Sequence, residues 1–332
     1  MSANQRKRSM QTRALGPFAD VSRLTLGGGG LGELWGATTP GEAVATLTEA
    51  VEAGINLIDT APLYRNCEQV IGAAWGGKVP DGVRITSKVY LGSPPADEVA
   101  ARIETSLNAT LAAMKLERVD LFFLHTNICP DGYVYARGAH RQAQFATRWS
   151  LYREQVIPTF EALKARGVIG EWGITATGVP ATILQALAAT PRPAVAQAVT
   201  NLLDSAGDMR SYAEPAEPRA IIAAAKASGV GVMGIRAVQA GALTAALDRE
   251  LHPKSADLAD YGRAAPFRAL CAAWGEDPAV VAHRYALGMA GVDTLVLGVK
   301  NRAELRQCLA AEAAGPLEAE QVAAIDGLGL RG

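Results

Sequence analysis

Short apolar runs alternate along this chain with helix-length amphipathic stretches, at intervals of about 30 residues or more, which is the βα pattern of a parallel sheet. Eight runs have strand character: 24–27, 56–59, 84–88, 120–125, 171–175, 195–200, 231–235 and 294–298. Eight such units favour a closed (β/α)8 barrel over an open sheet. The intervening periodicity agrees. Val99, Ile103, Leu107, Leu111 and Met114 recur at three- and four-residue spacing after a Pro94-Pro95 start, so they share one helix face. A first helix over 42–53 stops at Gly54, and Gly167 and Gly229 end later helices in the same way. Asn301, with Glu304 three residues on, reads as a capping box opening the last barrel helix.

Two stretches break this rhythm. Residues 126–150 are too long for a βα turn and carry Tyr133, Tyr135 and Trp149, and 237–265 is longer still. Loops of this length shape binding sites more often than they merely connect elements. Residues 316–332 read as an extra C-terminal helix and tail. No Ser/Gly linker or long charge run divides the chain, so a basic, acid-free N-terminal extension over 1–12 is expected to be disordered and 13–332 to form one domain. Met10 is an alternative start.

Composition narrows the class. The net charge of −1 and a pI near 6.5 give no global field for nucleic acid or an anionic membrane. No apolar run has the length of a membrane span. Cys67, Cys129, Cys271 and Cys308 are scattered without a CxxC pair, which indicates neither a metal site nor a disulfide framework. Reduced thiols in a cytoplasmic protein are expected. Nothing in the sequence sets the oligomeric state.

Chemistry-bearing residues stand at the ends of the strand-like runs. Asp59 closes the second, with Tyr64 five residues later; Lys88 closes the third and His125 the fourth. In a parallel barrel all strand C-termini point to one face, so these four converge there. Together they suit reduction of a carbonyl by hydride transfer. Negative charge builds on oxygen and must be stabilised and protonated. Tyr64 is the expected proton donor and Lys88 is expected to lower its pKa. Asp59 would keep Lys88 charged, and His125 would orient the carbonyl. Taken singly, Asp59 and Lys88 would equally form a structural ion pair, His125 a core histidine and Tyr64 a packing residue. Trp35, Tyr90 and Trp149 are candidates to line a substrate pocket, or simply to pack loops.

The segment Gly54-Ile55-Asn56-Leu57-Ile58-Asp59-Thr60-Ala61-Pro62-Leu63-Tyr64, with Glu68 following, resembles the signature of the aldo-keto reductase superfamily. Lys88 and His125 arrive on the expected strands in the expected order, and the likeness runs from about Arg13 to Ala314. It implies a TIM barrel that binds an extended nicotinamide cofactor without a Rossmann domain, and catalytic roles for Asp59, Tyr64, Lys88 and His125. Relatives hold the nicotinamide carboxamide with a Ser-Asn pair and a Gln. This chain has Thr175 followed by Ala176, and Gln197. Where relatives often stack an aromatic on the ring, Ile235 is followed by Arg236, which can reach the pyrophosphate. The turn Gly27-Gly28-Gly29-Gly30 would let Gly29 and Gly30 approach the cofactor most closely. No GxGxxG opens a helix there.

Past Gly298, Lys300 and Arg302 lie beside a helix N-terminus, which favours an anion such as the 2′-phosphate of NADP. By the same resemblance Glu304 stands where many relatives carry Arg, and Gln307 and Cys308 where a Glu-Asn pair often contacts adenine. A Glu304 turned outward would repel that phosphate and favour NAD(H), but as the capping-box partner of Asn301 it is engaged, and NADP(H) is expected over NAD(H). The whole reads as an NAD(P)-dependent oxidoreductase interconverting an aldehyde or ketone, a sugar among them, and its alcohol. The rival readings are a cofactor-binding regulatory subunit of the same fold and a barrel enzyme forming a Schiff base at Lys88.

Overall fold

The structure, a computed structural model, describes residues 10–332. Of the expected N-terminal extension, residues 1–9 lie outside the described residues, whereas Thr12 already belongs to a strand. Eight parallel strands close into a barrel: β1 (Leu24–Gly27), β2 (Leu57–Asp59), β3 (Arg84–Val89), β4 (Val119–Leu124), β5 (Ile169–Thr175), β6 (Val195–Val199), β7 (Gly231–Ile235) and β8 (Thr294–Leu297). Their order around the barrel follows the chain, and β1 closes it by pairing with both β2 and β8. Every residue of β1, β2 and β6 is buried, as expected for strands covered on both faces. That burial is why they read as solid apolar runs rather than as alternating ones.

A helix follows each strand on the outside: α1 (Pro40–Glu52), α2 (Cys67–Trp75), α3 (Val99–Met114), α4 (Ile157–Ala165), α5 (Pro180–Ala188), α6 (Pro218–Ala227), α7 (Pro278–Gly288) and α8 (Arg302–Ala314). The five apolar residues expected on one face of α3 are all buried. Thr39 caps α1 by accepting from the Glu42 backbone N–H at 3.1 Å, and Gly54, Gly167 and Gly229 all take positive φ after their helices. An extra helix, Ala319–Asp326, follows α8.

Three features lie outside the sequence expectation. A hairpin of Thr12–Leu15 and Phe18–Ser22 closes the N-terminal end of the barrel. Its Leu15 and Val21 pack on Leu57, Leu121, Phe123, Val195 and Met233 inside the barrel. In the loop after β4, Asn127–Cys129 pairs in parallel with Ala146–Arg148. The loop after β7 contains two helices, Ala256–Arg263 and Ala265–Trp274, before α7. Both long insertions emerge at the C-terminal ends of strands, the face where barrel enzymes build their sites. Among the described residues, no helix is long and apolar enough to cross a membrane, and no cluster of His, Cys, Asp or Glu is arranged to hold a metal ion.

Candidate functional site

Parallel register brings the first three residues together. Asp59 ends β2 directly beside Thr86 of β3, and Lys88 lies one pleat further along the same face of β3. The Lys88 ammonium donates to Asp59 Oδ2 at 2.7 Å and to the Thr60 carbonyl at 2.9 Å. Both side chains are essentially inaccessible, at 0% and 1% exposure. The other carboxylate oxygen of Asp59 accepts from Thr86 Oγ1 at 2.8 Å and from Gln197 Nε2 at 2.7 Å. A buried ion pair offsets its desolvation only when the remaining lone pairs and protons are also satisfied, and these donors do that for the carboxylate.

Tyr64 sits on the short 3-10 turn Pro62–Tyr64 that follows β2. Lys88 Nζ lies 4.6 Å from the centre of its ring, and the His125 ring meets it edge-on at 5.7 Å. His125 falls one residue past β4, but its N–H still donates to the Val89 carbonyl at 2.9 Å and so continues the ladder. The four residues expected to converge do so.

Their protonation follows from burial and from one another. Burial acts to lower the Lys88 pKa, but Asp59 and then Tyr64 outweigh it, and the net direction is upward. Lys88 is a fixed cation. For Tyr64, burial raises the pKa more than Lys88 lowers it, so the phenol is held protonated. Lys88 does pull it down, as expected, but burial outweighs that pull. His125 is driven well below 6.5, first by burial and then by Lys88. It is therefore a neutral imidazole at pH 7, and its buried Nδ1 has no hydrogen-bond partner among the described residues.

The fit to a nicotinamide rests on two neighbouring strands. Thr175 at the end of β5 is in register with Gln197 of β6. Its Oγ1 is buried without a partner, and Gln197 Oε1 accepts no hydrogen bond among the described residues. One orphaned hydroxyl beside one free amide oxygen suits a carboxamide, which needs both a donor and an acceptor. Ala176, in the place of the family's Asn, is buried and adds no polar side chain. Ile235 ends β7 partly buried.

Other expected cofactor contacts are engaged elsewhere. Arg236 does not reach out toward a pyrophosphate: its Nη2 pairs with Asp257 and its Nε donates to Gln239 Oε1 at 2.9 Å, because the first of the two helices after β7 brings Asp257 against it. A Cβ on Gly30 would overlap the Val299 carbonyl, and one on Gly29 would strike the Trp35 indole. These glycines are thus required by close packing within the chain. Trp35 lies against Gly29 and Gly298, with the Arg249 guanidinium 5.5 Å from its ring centre. It therefore borders the expected cofactor residues. Trp149 packs on Tyr152 at 5.7 Å. Of the three expected aromatics, Tyr90 joins the cluster of Asp59, Tyr64, Lys88 and His125, edge-on to His125 at 5.9 Å.

At the entrance to α8, Asn301 accepts from the Glu304 N–H at 2.9 Å, as expected. The Glu304 carboxylate reaches back one residue further than a capping box, to the Lys300 N–H at 2.9 Å. Lys300 Nζ is clamped between Asp248 at 2.6 Å and Glu304 at 2.8 Å, and Arg302 is turned onto Glu42 of α1 at 2.9 Å. Gln307 is exposed, while the Cys308 thiol is buried 3.6 Å from His283 Nε2 between α7 and α8. Sequence reasoning missed Thr86, and it missed that Gln197 bonds Asp59. The adjacency of Thr86 to Lys88 in β3 was the available signal for the first.

The Aldo/keto reductase family model matches residues 23–329. L-galactose dehydrogenase of Arabidopsis thaliana is 24% identical over 307 residues, covering 91% of this chain and 88% of that protein. Methylglyoxal reductase of Escherichia coli is 28% identical over half of each chain. Among solved structures, the holo form of aldo-keto reductase AKR11C1 from Bacillus halodurans superposes with a TM-score of 0.67 at 22% identity over 96% of both chains. Glycerol dehydrogenase AKR11B4 from Gluconobacter oxydans gives 0.67 at 21%, over 97% of this chain and 95% of that one. At these identities the structural likeness speaks for the barrel, and the family match over nearly the whole described chain carries the assignment. The chain belongs to the aldo/keto reductase family, whose enzymes are oxidoreductases that use nicotinamide cofactors.

Proposed function

We propose that the protein reduces an aldehyde or ketone to its alcohol with NAD(P)H, or runs the reverse oxidation, at the cluster of Asp59, Tyr64, Lys88 and His125. The observation that carries this reading is the buried Lys88 cation, fixed by Asp59 under the protonated Tyr64 ring, with neutral His125 alongside. When bound, the nicotinamide supplies the hydride. Thr175 and Gln197 hold its carboxamide. His125 donates a hydrogen bond to the carbonyl oxygen and orients it. Tyr64 gives that oxygen its proton, and the phenolate left behind is stabilised by Lys88, which lies within Coulombic reach of the ring. Asp59, itself fixed by Thr86 and Gln197, keeps Lys88 in place.

Against a Schiff base at Lys88 stands its pairing: an ammonium held by a carboxylate and a carbonyl is not a free nucleophile. Relatives named for L-galactose, methylglyoxal and glycerol support a small polar carbonyl or alcohol as substrate. Steady NAD(P)H consumption with a panel of such aldehydes tests the proposal, and binding without turnover across the panel would favour the regulatory-subunit reading.

The protonation states predict a pH profile. His125 starts neutral and stays neutral as pH falls through 6.5, so kcat for reduction should show no inflection there. Tyr64 is the proton donor and its pKa is raised above 10, so the alkaline limb should lie above pH 10. An acid limb near pH 6.5 that disappears in His125→Gln would contradict the neutral-imidazole assignment.

Cofactor choice turns on charge. The expected NADP(H) preference rests on Lys300 and Arg302, and each already meets carboxylates. Around the start of α8 the cations Lys300, Arg302 and Arg306 face Asp248, Glu304, Glu42 and Glu49. Exposed ion pairs exchange cheaply, so a 2′-phosphate can take Arg302 from Glu42, but the displaced carboxylates remain nearby and repel it. We therefore expect wild type to bind NADPH no more tightly than NADH, and Glu42→Gln to strengthen NADPH several-fold with NADH unchanged. Titration by Trp fluorescence quenching checks both. A tenfold wild-type preference for NADPH would restore the original expectation.

A further inference from the structure

Extending the carbonyl-reduction reading above, we infer that the substrate carries an anionic group, a carboxylate or phosphate, recognised by Arg141 and Tyr90 at the rim of the catalytic mouth. A row of rings leads outward from the site. Tyr64 meets His125 edge-on, His125 meets Tyr90 at 5.9 Å, and Tyr90 meets Phe145 at 5.0 Å. The Arg141 guanidinium covers the outer face of Phe145, 4.1 Å from its centre. Arg141 is close enough to Tyr90 to act electrostatically on its hydroxyl.

Two polar groups on this path lack hydrogen-bond partners among the described residues. The Tyr90 hydroxyl is buried and makes no hydrogen bond among the described residues. Arg141 donates no side-chain hydrogen bond and meets no carboxylate among them, unlike Lys300, Arg302 and Arg306 around α8. A buried hydroxyl left unpaired is unfavourable, and a ligand atom can satisfy it. A planar guanidinium held on an aromatic face presents its N–H fork to a carboxylate or phosphate.

The segment carrying Arg141 is fastened to the strand end that carries Tyr90. The Ser93 N–H donates to the Ala143 carbonyl at 2.9 Å, and Ser93 Oγ donates to the Ala146 carbonyl at 2.6 Å. Gln142 accepts from the Tyr135 N–H at 2.7 Å and donates to the Tyr133 carbonyl, which locks the turn Gln142–Phe145 from the other side. Residues 126–150 also hold Arg137 and Arg148, with Asp131 as their one acid, and Arg153 beyond them is followed by Glu154. Asp131 is occupied by Ser150, and Glu214 beyond it by the Tyr133 hydroxyl. The loop over the mouth is therefore a cationic rim on a protein of net charge −1.

The test compares matched pairs at saturating cofactor: 4-carboxybenzaldehyde with benzaldehyde, and D-glyceraldehyde 3-phosphate with D-glyceraldehyde. In wild type kcat/KM should favour the anion by at least tenfold in one pair or both, mostly through KM, and the pair that shows it identifies the head group. Arg141→Ala should reduce that ratio at least tenfold, Arg141→Lys should retain part of it, and added salt should shrink it in wild type. Calorimetric binding of 4-carboxybenzyl alcohol and of inorganic phosphate to the cofactor-loaded protein gives a readout independent of turnover. If no aldehyde is reduced but Arg141→Ala still abolishes anion binding, the reduction reading fails and the anion site stands. Equal kcat/KM within both pairs, or a ratio unmoved by Arg141→Ala, overturns the inference.

Discussion

Tyr64→Phe should lower kcat for carbonyl reduction by about 10²–10⁴-fold, the usual worth of a positioned general acid. A loss of 10² corresponds to about 2.7 kcal/mol of transition-state stabilisation. The phenyl ring keeps its place, because the edge-on contact with His125 and the position above Lys88 both belong to the ring and not to the hydroxyl. Urea unfolding and cofactor affinity should accordingly stay near wild type. What disappears is a proton held ready by burial, since the Tyr64 pKa is raised and the phenol is fully protonated at neutral pH. The remaining rate comes from His125, which still polarises the carbonyl, and from proton delivery by water. A variant that reduces aldehydes at the wild-type rate, with saturating cofactor, would remove Tyr64 from the proposed role.

How much of this was legible in the sequence depended on the range of the interaction. The barrel strands are buried on both faces, so they announce themselves as apolar runs, and every one was found within about two residues of its expected bounds. The converging four were legible because barrel topology converts a position at a strand end into a position on one face. The N-terminal hairpin was not, because just three of its residues, Leu15, Val21 and Ser22, are buried and its apolar pattern is faint. What the sequence leaves open at the site has a common cause. Arg236, Lys300 and Arg302 stand out as cations suited to a cofactor's phosphates, and each also meets an acid that the local sequence does not announce: Asp257, Asp248 and Glu42. A charge shows in the sequence, whereas its partner is fixed by tertiary packing. The net direction at Tyr64 was out of reach for a related reason. Sequence shows that a lysine will be near, but the balance between its field and desolvation depends on how deeply the phenol is buried.

Glu68 shows how a signature residue can act without touching substrate. It follows Tyr64 in the motif and is buried on α2, where Ser87 and Thr110 donate to it at 2.7 and 2.9 Å. Ser87 precedes Lys88 in β3, so this contact ties the back of the strand to α2 while the front presents the ammonium. Burial raises the Glu68 pKa, and the two hydroxyls and Lys88 work against that rise.

Lys88→Met is expected to abolish measurable reduction and, unlike Tyr64→Phe, to destabilise the fold. The removed ammonium is the partner of Asp59 Oδ2, while Thr86 and Gln197 continue to serve Oδ1. Breaking a buried pair from one side typically costs about 3–5 kcal/mol, because the surviving charge has lost its counterion but not its desolvation. The two retained donors should place this variant toward the lower end of that range, seen as a fall in the urea midpoint with the slope unchanged. Adding Asp59→Asn removes the stranded charge, so the double variant should recover most of the lost stability. It should recover none of the activity, because nothing then stabilises the Tyr64 phenolate. That separation is the decisive feature. A purely structural ion pair would leave turnover intact once stability returned, so restored activity in the double variant, or full activity in Lys88→Met alone, would show that Lys88 holds the barrel together without serving the chemistry.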